Sequence, residues 1–546
     1  MKNGWDEIFD VVVVGSGMAA LSAALAAAEH GLAPVVLEKA HLAGGGTVYS
    51  YGLVWVGNNS VGRKEGCEDS RDETITYLRY LGAGYEIEEN MLAFVDHAPE
   101  ALDFFIDRGI PFQLCRALPD HYYDAAPGSK PVGRTVEVAL ISGYELGEWR
   151  ERLVRSPYLP VGATSDEAIA WGGHGNYGNW DPAVMEERRR RDILGCGAGL
   201  AAHFLKAVLG RGVPLRLSTP VARLVTENGA VTGVVARRGG REWRLGARRG
   251  VVIATGGYEA NAELVRRYEA FREWETMFPP SVSGDGLLMG AEIGASVHLV
   301  AMNMAIFLGF RVPGERPGDP TVFRLAGITD VCRPHTLVVN RAGERFADES
   351  YFQAILNGVR QFDVWRHRHV NLPCFLIFDQ HYADKYPFAG TPAGRPIPEW
   401  VSRAGSLREL ASALGIDGGR LEATVRRFNK FAEVGRDDDF RRGTAPWGTA
   451  LTGDPHHRPN PNLGPVERPP FYGVRLVVSG QSSAGLLTNR HGQVLHVRGH
   501  AIPGLYASGN AAAFVDYGAG YQAGLSLARG MTWSYLAVRH MAGKTP

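Results

Sequence analysis

The chain has 546 residues, of which 58 are basic and 58 acidic, so its formal net charge is zero. This balance excludes a protein that holds nucleic acid by bulk electrostatic attraction. Hydrophobic residues make up 45% of the chain and aromatic residues 10%, which excludes a mainly disordered protein. At roughly 150 residues per domain, the length corresponds to about two to four domain-sized units.

The five cysteines are widely spaced, and they form neither a Cys-x-x-Cys pair nor a Cys/His group with metal-ligand spacing. This pattern predicts a reducing compartment and no structural metal site. The polar N-terminus lacks a signal-peptide pattern, and the first apolar run, Val11 to Val14, is too short to span a membrane. We therefore expect a soluble, cytoplasmic protein.

The first forty residues carry the clearest local pattern. Residues 8–14 predict a buried strand, residues 15–20 a glycine turn, residues 21–30 an alanine-rich helix, and residues 35–38 a second strand that ends in an acid. Such a turn offers backbone N–H groups and a helix N-terminus to a pyrophosphate, and Glu38 lies where an acid accepts hydrogen bonds from a ribose diol. The unit predicts a dinucleotide site for an unphosphorylated ribose.

The following segments differ in predicted secondary structure and in composition. Helices are predicted at 72–81, 89–108 and 198–209, short hairpin strands at 215–217, 221–225, 231–235 and 241–245, and a separate buried strand at 251–254. The stretch from about 277 to 474 is rich in proline, contains a long loop from 443 to 470 and resembles an inserted domain. The last segment returns to glycine-punctuated strands and a helix from about 524 to 541.

Glycine clusters far from the first turn favour FAD over NAD. They occur at 44–47, 254–257 and 509–510, and one long cofactor that touches several segments explains them together. The candidate cofactor residues are Gly15, Gly17, Ala20, Glu38, Lys39, Gly45, Gly46, Thr47, Gly52, Val221, Ala254, Gly256, Gly509, Asn510, Gly524, Leu525, Ser526 and Leu527. The glycines at 195–199 follow a charged segment and not a predicted strand, so we expect no NAD(P)H site and an external electron acceptor or donor.

These patterns predict an α/β fold. A Rossmann-like FAD-binding domain is built from both chain ends, and an α+β substrate-binding (capping) domain is inserted between them. The predicted boundaries are 1–278 for the first part of the FAD-binding domain, with a helical and loop insertion at about 60–191, then 279–474 for the inserted domain and 475–546 for the C-terminal part.

Longer motifs resemble the fumarate reductase and succinate dehydrogenase flavoprotein superfamily, and within it the 3-ketosteroid dehydrogenases most. The superfamily motifs stand at 11–21, 251–261, 284–286, 338–349 and 502–510, and the ketosteroid-type motifs at 45–59, 68–73 and 122–134. The resemblance implies dehydrogenation beside the ketone of a steroid-like or polycyclic substrate, or the reverse reduction of an enone. The FAD is expected to be non-covalent, because no histidine occupies residues 46–49, where covalent relatives attach it.

Ketosteroid dehydrogenases use one tyrosine, together with a backbone N–H, to bind the ketone oxygen and another to remove a proton. By this resemblance Tyr521 is the preferred ketone-binding residue, and Tyr517 is its alternative. The upstream candidates are Tyr122 or Tyr123, and Tyr351.

Two further features each have two interpretations. His121 is an alternative to the tyrosines as the base. The glycine-aromatic stretch 171–180 is a candidate lining of an apolar pocket, and a surface loop that packs its own aromatic rings is the alternative.

Fumarate-type reductases carry an acid arginine and a carboxylate-binding arginine. Those positions fall here at about Gln353 and at 516–521, and neither holds an arginine, which argues against fumarate reduction. The alternative function is a reductase of a small unsaturated acid, with arginines such as Arg311, Arg333 or Arg345 taken from elsewhere. A third hypothesis is a flavin-binding subunit that passes electrons to a partner without catalysis of its own.

Overall fold

The structure is a computed structural model that describes residues 4–157, 162–173, 180–300, 302, 305–314, 323–327 and 329–544. The helices in this part of the chain are α1 (Met18–Glu29), α2 (Ser60–Lys64), α3 (Arg71–Gly82), α4 (Glu88–Ile106), α5 (Ser165–Ala170), α6 (Pro182–Arg190), α7 (Cys196–Gly210), α8 (Ala262–Tyr268), α9 (Asp285–Glu292), α10 (Phe352–Arg360), α11 (Gln380–Lys385), α12 (Leu407–Leu414), α13 (Gly418–Val434), α14 (Pro446–Thr452) and α15 (Leu525–Met541).

The strands are β1 (Glu7–Val14), β2 (Pro34–Leu37), β3 (Val54–Trp55), β4 (Phe112–Leu114), β5 (Thr135–Val138), β6 (Ile141–Ser142), β7 (Ile193–Leu194), β8 (Leu215–Arg216), β9 (Val221–Glu227), β10 (Ala230–Arg238), β11 (Arg241–Ile253), β12 (Val297–Leu299), β13 (Ile306–Arg311), β14 (Phe323–Leu325), β15 (Thr336–Asn340), β16 (Phe362–Asp363), β17 (Arg368–His369), β18 (Cys374–Phe378), β19 (Ser402–Ala404), β20 (Phe471–Gly480), β21 (Ala484–Leu486), β22 (Gln493–Leu495) and β23 (Ala501–Ala507).

The main sheet combines strands from both chain ends. Its order is β22-β23-β11-β1-β2-β8, and the β9–β10 hairpin extends it from β11. Along β1, Val11 and Val13 pack into the core that contains α1, α7 and α15, whereas Val12 and Val14 pack into the core on the opposite face. A parallel sheet covered on both faces requires such a continuous apolar run. The predicted Rossmann-like domain built from both chain ends is confirmed.

Two details of the predicted strands are wrong. Residues 215–216 form β8, which pairs parallel with β2 at the sheet edge and belongs to no hairpin. The separate strands predicted at 241–245 and 251–254 form the single strand β11, because one edge pairs antiparallel with β10 and then parallel with β23, while the other edge pairs parallel with β1 from Leu245 to Ile253.

The second sheet is antiparallel and has the order β14-β13-β20-β18-β15, with β19 on β20. Its two faces contribute to separate apolar cores, one containing α10 and α11 and the other α12 and α13. This sheet is the core of the α+β domain inserted between the two parts of the main sheet. The loop predicted from 443 to 470 contains α14.

The predicted domain boundary at 474 falls within β20, whose partners all lie in the second sheet. The boundaries themselves remain a prediction. In the region between 60 and 191, α3 and α4 pack beside α15 in the core on the α1 side of the main sheet. Among the described residues, we find no helix with the length and apolar character needed to cross a membrane.

Candidate active site

A cavity of about 870 Å³ extends from the strand ends of the main sheet to the second sheet. We call one part the glycine end; its wall includes Gly15, Gly17, Glu38, Gly256 and Gly509. We call the other part the aromatic end; its wall includes Phe307, Phe310, Phe352, Trp447 and Tyr521.

The glycine end is formed by close backbone contacts. Gly15 has a φ of +111°, and a Cβ placed there would lie 2.4 Å from the carbonyl oxygen of Ala254. Gly17 precedes α1 without a side-chain cap, and the Met18 N–H donates to Thr47 Oγ1 at 2.8 Å. The N-terminus of α1 therefore lies at the cavity with no carboxylate or hydroxyl of its own cap, an arrangement that favours an anionic phosphate.

Glu38 lies at the end of β2, where only 6% of its surface is exposed. Its Oε2 accepts a hydrogen bond from the Ser16 hydroxyl at 2.6 Å, and its Oε1 accepts from the Ala40 N–H at 2.8 Å. Burial raises the pKa of this carboxyl. A carboxylate has further lone pairs beyond these two bonds, so Glu38 can still accept hydrogen bonds from a ribose diol.

Most of the candidate cofactor residues line this cavity. Those on its wall are Gly15, Gly17, Glu38, Lys39, Gly45, Gly46, Thr47, Gly52, Val221, Ala254, Gly256, Gly509, Asn510, Gly524, Ser526 and Leu527. Ala20 and Leu525 are not on the wall, because each is fully buried in the core against the main sheet. Both side chains belong to the apolar core and not to the cavity wall.

Unpaired polar atoms at this end indicate a polar ligand. Among the described residues, Thr255 Oγ1 and Glu259 Oε2 are buried without a hydrogen-bond partner, and both residues line the cavity. Buried polar atoms without partners are rare in folded proteins. Together with the uncapped α1 N-terminus and Glu38, these atoms fit a dinucleotide with hydroxyl and amide groups, as FAD has.

The glycines at 195–199 have a packing role. A Cβ on Gly197 would lie 2.0 Å from the Thr47 carbonyl oxygen, and a Cβ on Gly52 would lie 2.4 Å from the Cys196 carbonyl carbon. A short strand, β7, does precede them, contrary to the sequence interpretation, but it pairs only with β6 outside the main sheet. These glycines hold α7 against the segment that carries Thr47.

Tyr122, Tyr351 and Tyr521 come together at the aromatic end. The Tyr521 N–H donates to the Tyr122 hydroxyl at 3.5 Å, and the Tyr122 and Tyr351 rings lie 5.9 Å apart. Tyr351 donates from its hydroxyl to the carbonyl of His121 at 3.0 Å. Of these three tyrosines, only Tyr521 lies on the cavity wall.

Tyr517 lies elsewhere. Its ring is fully buried, packs against Phe514 and lies 5.7 Å from the guanidinium of Arg529. Arg529 is itself held by Asp516 at 2.6 Å and by the carbonyl of Ala513 at 2.5 Å. Neither Tyr517 nor Arg529 lines the cavity, and the ion pair of Arg529 with Asp516 stabilises the segment before α15.

The arginines considered for a small acid also lie outside the cavity wall. Arg345 forms buried ion pairs with Glu349 and Asp437, Arg311 pairs with Glu275, and Arg333 stacks on a tyrosine ring.

Two cationic residues that the sequence interpretation missed do lie on the wall, Arg324 and Lys385. A single arginine in a three-residue strand and a single lysine at a helix end carry no local signal. The described ends of the glycine-aromatic stretch, Trp171 and Trp180, pack edge to face 5.3 Å apart and do not line the cavity. Residues 174–179 of that stretch lie outside the described residues.

Comparison with known proteins agrees with this geometry. Residues 10–526 match the FAD binding domain family. The chain is 35% identical to 4-oxocyclohexanecarboxylate 2-dehydrogenase of Sinomonas cyclohexanicum, over 98% of this chain and 93% of that protein. It is 34% identical to a 3-oxosteroid 1-dehydrogenase of Mycobacterium tuberculosis, over 98% of both chains.

The structure is similar to that of 3-ketosteroid Δ1-dehydrogenase from Sterolibacterium denitrificans in complex with 1,4-androstadiene-3,17-dione. The TM-score is 0.87 at 30% sequence identity, over 99% of this chain and all of the other. The chain therefore belongs to the FAD-binding family that also contains the 3-oxosteroid 1-dehydrogenases, and it is an FAD-dependent oxidoreductase.

Proposed function

We propose that this enzyme dehydrogenates the CH–CH bond beside the ketone of a ring substrate. The observation that carries the proposal is the position of Tyr521 and Gly524, which lie on the wall of the cavity that also contains the glycine turn of β1. A substrate bound there lies in the same cavity as the cofactor. FAD, when bound, supplies a two-electron acceptor for the substrate's hydride.

Tyr521 and Gly524 form the site for the ketone oxygen. Gly524 immediately precedes α15 and has a φ of +91°, and a Cβ there would lie 2.8 Å from the Trp55 nitrogen. The N–H groups at this helix N-terminus favour the negative charge of a developing enolate. Burial raises the pKa of Tyr521 to about 12, so its hydroxyl stays protonated at neutral pH and donates to the same oxygen.

Tyr122 is the proposed base. Burial raises its pKa, whereas the hydrogen bond from the Tyr521 N–H acts in the opposite direction by stabilising the phenolate. Burial raises the pKa of Tyr351 as well, and the neighbouring Tyr122 raises it further, while Tyr351 donates its own proton to the His121 carbonyl. Of the two upstream tyrosines, Tyr122 is therefore the one whose ionised form is better stabilised. Neither of them lines the cavity, so the assignment rests on the contact of Tyr122 with Tyr521, which does line it.

The cationic groups at the aromatic end favour a ring ketone that also carries a carboxylate. Arg324 lies opposite Phe310 in the β13–β14 pair, so both side chains share one face of the second sheet. Lys385 Nζ lies 2.7 Å from Asp454 Oδ2. Although burial acts to raise it, hydrogen bonds from Lys385 and Tyr386 lower the pKa of Asp454 to about 2. Asp454 therefore stays ionised and holds Lys385 in place.

Asp330 is the acidic residue on this part of the wall, and its carboxylate already accepts a hydrogen bond from Tyr382 at 2.6 Å. A substrate carboxylate bound there would meet Arg324 and Lys385, of which Lys385 is already paired with Asp454, beside Asp330, whose pKa is raised by burial. One relative, the Sinomonas cyclohexanicum enzyme, is named for such a substrate, 4-oxocyclohexanecarboxylate. A steroid ketone, named for the other relatives, is the second candidate, since Phe307, Phe310 and Trp447 offer it an apolar wall.

Anaerobic addition of ketones to the oxidised holoenzyme, without an external acceptor, tests the proposal. We expect 4-oxocyclohexanecarboxylate to bleach the flavin band, and its uncharged methyl ester to require about ten times the concentration or more. Bleaching by a 3-ketosteroid alone would support the proposed dehydrogenation and exclude the carboxylated ketone as the substrate. A flavin that stays oxidised with all three ketones would overturn the proposed reaction.

The remaining expectations concern the cofactor and its reoxidation. We infer non-covalent FAD, an external acceptor and a cytoplasmic location, supported by the lack of histidine at 46–49 and by the scattered cysteines. Acid precipitation should leave all the flavin in the supernatant, and NAD(P)⁺ should fail to reoxidise the bleached enzyme where a soluble redox dye succeeds. A yellow pellet or reoxidation by NAD(P)⁺ would contradict the first two inferences.

A further inference from the structure

His121 lies among the three tyrosines at the aromatic end. Its side chain is fully buried and stacks on Trp447 with 3.6 Å between ring centroids. The rings of Tyr351 and Tyr521 meet it edge to face at 5.2 and 5.6 Å. Its position is therefore fixed by rings from three separate segments of the chain.

Both ring nitrogens of His121 have defined partners. Nδ1 lies 3.3 Å from the backbone nitrogen of Ala523, and Nε2 lies 2.7 Å from Gln353 Oε1. A backbone N–H can only donate, so Nδ1 is the acceptor and the proton of the neutral ring is on Nε2. Nε2–H then requires an acceptor, which Gln353 supplies.

This arrangement argues against His121 as the base. Its one free lone pair is already used by Ala523, and protonation would place two N–H groups against each other. Burial lowers the pKa of His121 to about 3, so the ring is neutral at physiological pH. The hydrogen-bond pattern and the burial agree on a neutral acceptor.

The backbone of His121 also contacts the segment that contains Ala523. Its N–H donates to Gln522 Oε1 at 2.8 Å, and Tyr77 donates from its hydroxyl to the same atom at 2.5 Å. Residues 521–524, which we call the ketone turn, are thus held by side-chain and backbone groups of His121, together with the Tyr77 hydroxyl. In this turn, Ala523 is flanked by Gly524, whose N–H is assigned above to the ketone oxygen.

We propose that His121 is a positioning residue, which accepts the Ala523 N–H and thereby holds the Gly524 N–H and the Tyr521 hydroxyl convergent on one substrate oxygen. This inference rests on the proposed function. It also gives a role to Gln353, which stands where fumarate-type reductases are expected to carry their acid arginine. In this chain that position fixes the tautomer of His121.

The test compares two substitutions in the holoenzyme. His121→Phe keeps a ring on Trp447 and removes the acceptor for Ala523. His121→Asn loses the ring but places an amide oxygen near the position of Nδ1. We expect His121→Phe to lower kcat about 10- to 100-fold with little change in KM, and His121→Asn to stay within about threefold of the wild type.

Two other patterns would overturn the proposal. If His121 is the base, kcat should fall more than about a thousandfold in both variants, since neither Phe nor Asn takes up a proton. If His121 only fills space, His121→Phe should match the wild type and His121→Asn should be the worse variant. Gln353→Met, which removes only the acceptor for Nε2–H, should lower kcat several-fold in the same direction as His121→Phe.

A readout independent of turnover separates failure of this inference from failure of the proposed function. Hydrogen–deuterium exchange of peptides covering 521–525 should be faster in His121→Phe than in His121→Asn, with flavin content unchanged in both. Equal exchange in the two variants would overturn the positioning role even if the enzyme turns over ketones. Faster exchange in His121→Phe than in His121→Asn, with no ketone turnover by the wild type, would support the contact between His121 and Ala523 and reject the proposed function.

Discussion

The two ends of the cavity are built by different means. At the glycine end, the decisive contacts are backbone contacts, such as the position of Gly15 against Ala254 at the ends of adjacent parallel strands. At the aromatic end, the contacts are between side chains, and His121, Trp447 and Tyr521 come from segments far apart in the chain. The glycine end depends on strand order and backbone geometry, and the aromatic end depends on side-chain identity.

The largest effect should come from the aromatic end. Tyr521→Phe removes a donor to the ketone oxygen, so we expect turnover to fall about 10²- to 10⁴-fold while FAD stays bound. Steady-state kinetics measure the turnover, and the flavin absorption spectrum of each variant measures the bound FAD. Tyr517→Phe is the matched control, because its ring lies outside the cavity, and near-normal turnover is expected. The reverse ranking would assign the role to Tyr517.

At the glycine end, Gly15→Ala should affect cofactor binding. A Cβ would overlap the Ala254 carbonyl in a backbone conformation with φ of +111°, so we expect FAD affinity to fall about a hundredfold or more. Gly31→Ala is the control, since Gly31 also has a positive φ, +74°, but no atom within 4 Å of the added Cβ. Equal FAD content after gel filtration of both variants would contradict the contact argument.

The cations test whether the aromatic end distinguishes substrates by charge. Lys385→Met and Arg324→Met should each raise KM for a carboxylated ring ketone about 10- to 30-fold, with little change for its methyl ester. Arg311→Met is the control, because Arg311 pairs with Glu275 and does not line the cavity. A parallel rise in KM for the acid and the ester would indicate a packing role instead.

The smallest effect concerns Glu259, on the cavity wall. Burial raises its pKa from 4.5 to about 7. The unfolded chain therefore releases this proton first, so the apoprotein should lose stability as pH rises from about 4.5 to about 7. We expect a loss of about 1 kcal/mol, less than the full shift implies because water enters the apo cavity.

Glu259→Gln should remove that loss, and Glu227→Gln, at an exposed position, should not. Urea unfolding of the apoproteins at pH 5 and pH 8 measures the difference. A pH dependence that is unchanged in Glu259→Gln would show that another group is responsible.

The same contrast explains what the sequence could predict. The strand, turn, helix and acid of the first forty residues are local, and the structure has each of them. The predicted break between 245 and 251 was wrong because the glycines at 246 and 250 lie inside β11, where the strand exchanges its antiparallel partner β10 for the parallel partner β23 while β1 pairs along its other edge. That exchange is a tertiary effect with no local pattern.

The candidate substrate residues were predictable only in part. Tyr122, Tyr351 and Tyr521 were named from family motifs, and the structure brings them together. Arg324 and Lys385 were missed, because cationic residues are common on any surface and only the fold places these two on the cavity wall. The contact between His121 and Ala523 joins residues 402 positions apart, and nothing in either segment indicates it.

The use of both chain ends in one sheet has a consequence for biosynthesis. β23 pairs with β11, and α15 shares a core with α1, so neither end of the cavity is complete until residues 501–541 have joined the rest. Those residues are synthesised long after the glycine turn, which lies near residue 15. We expect the nascent chain to expose the apolar α1 surface, and to lack its flavin, until residues 501–541 have folded onto it.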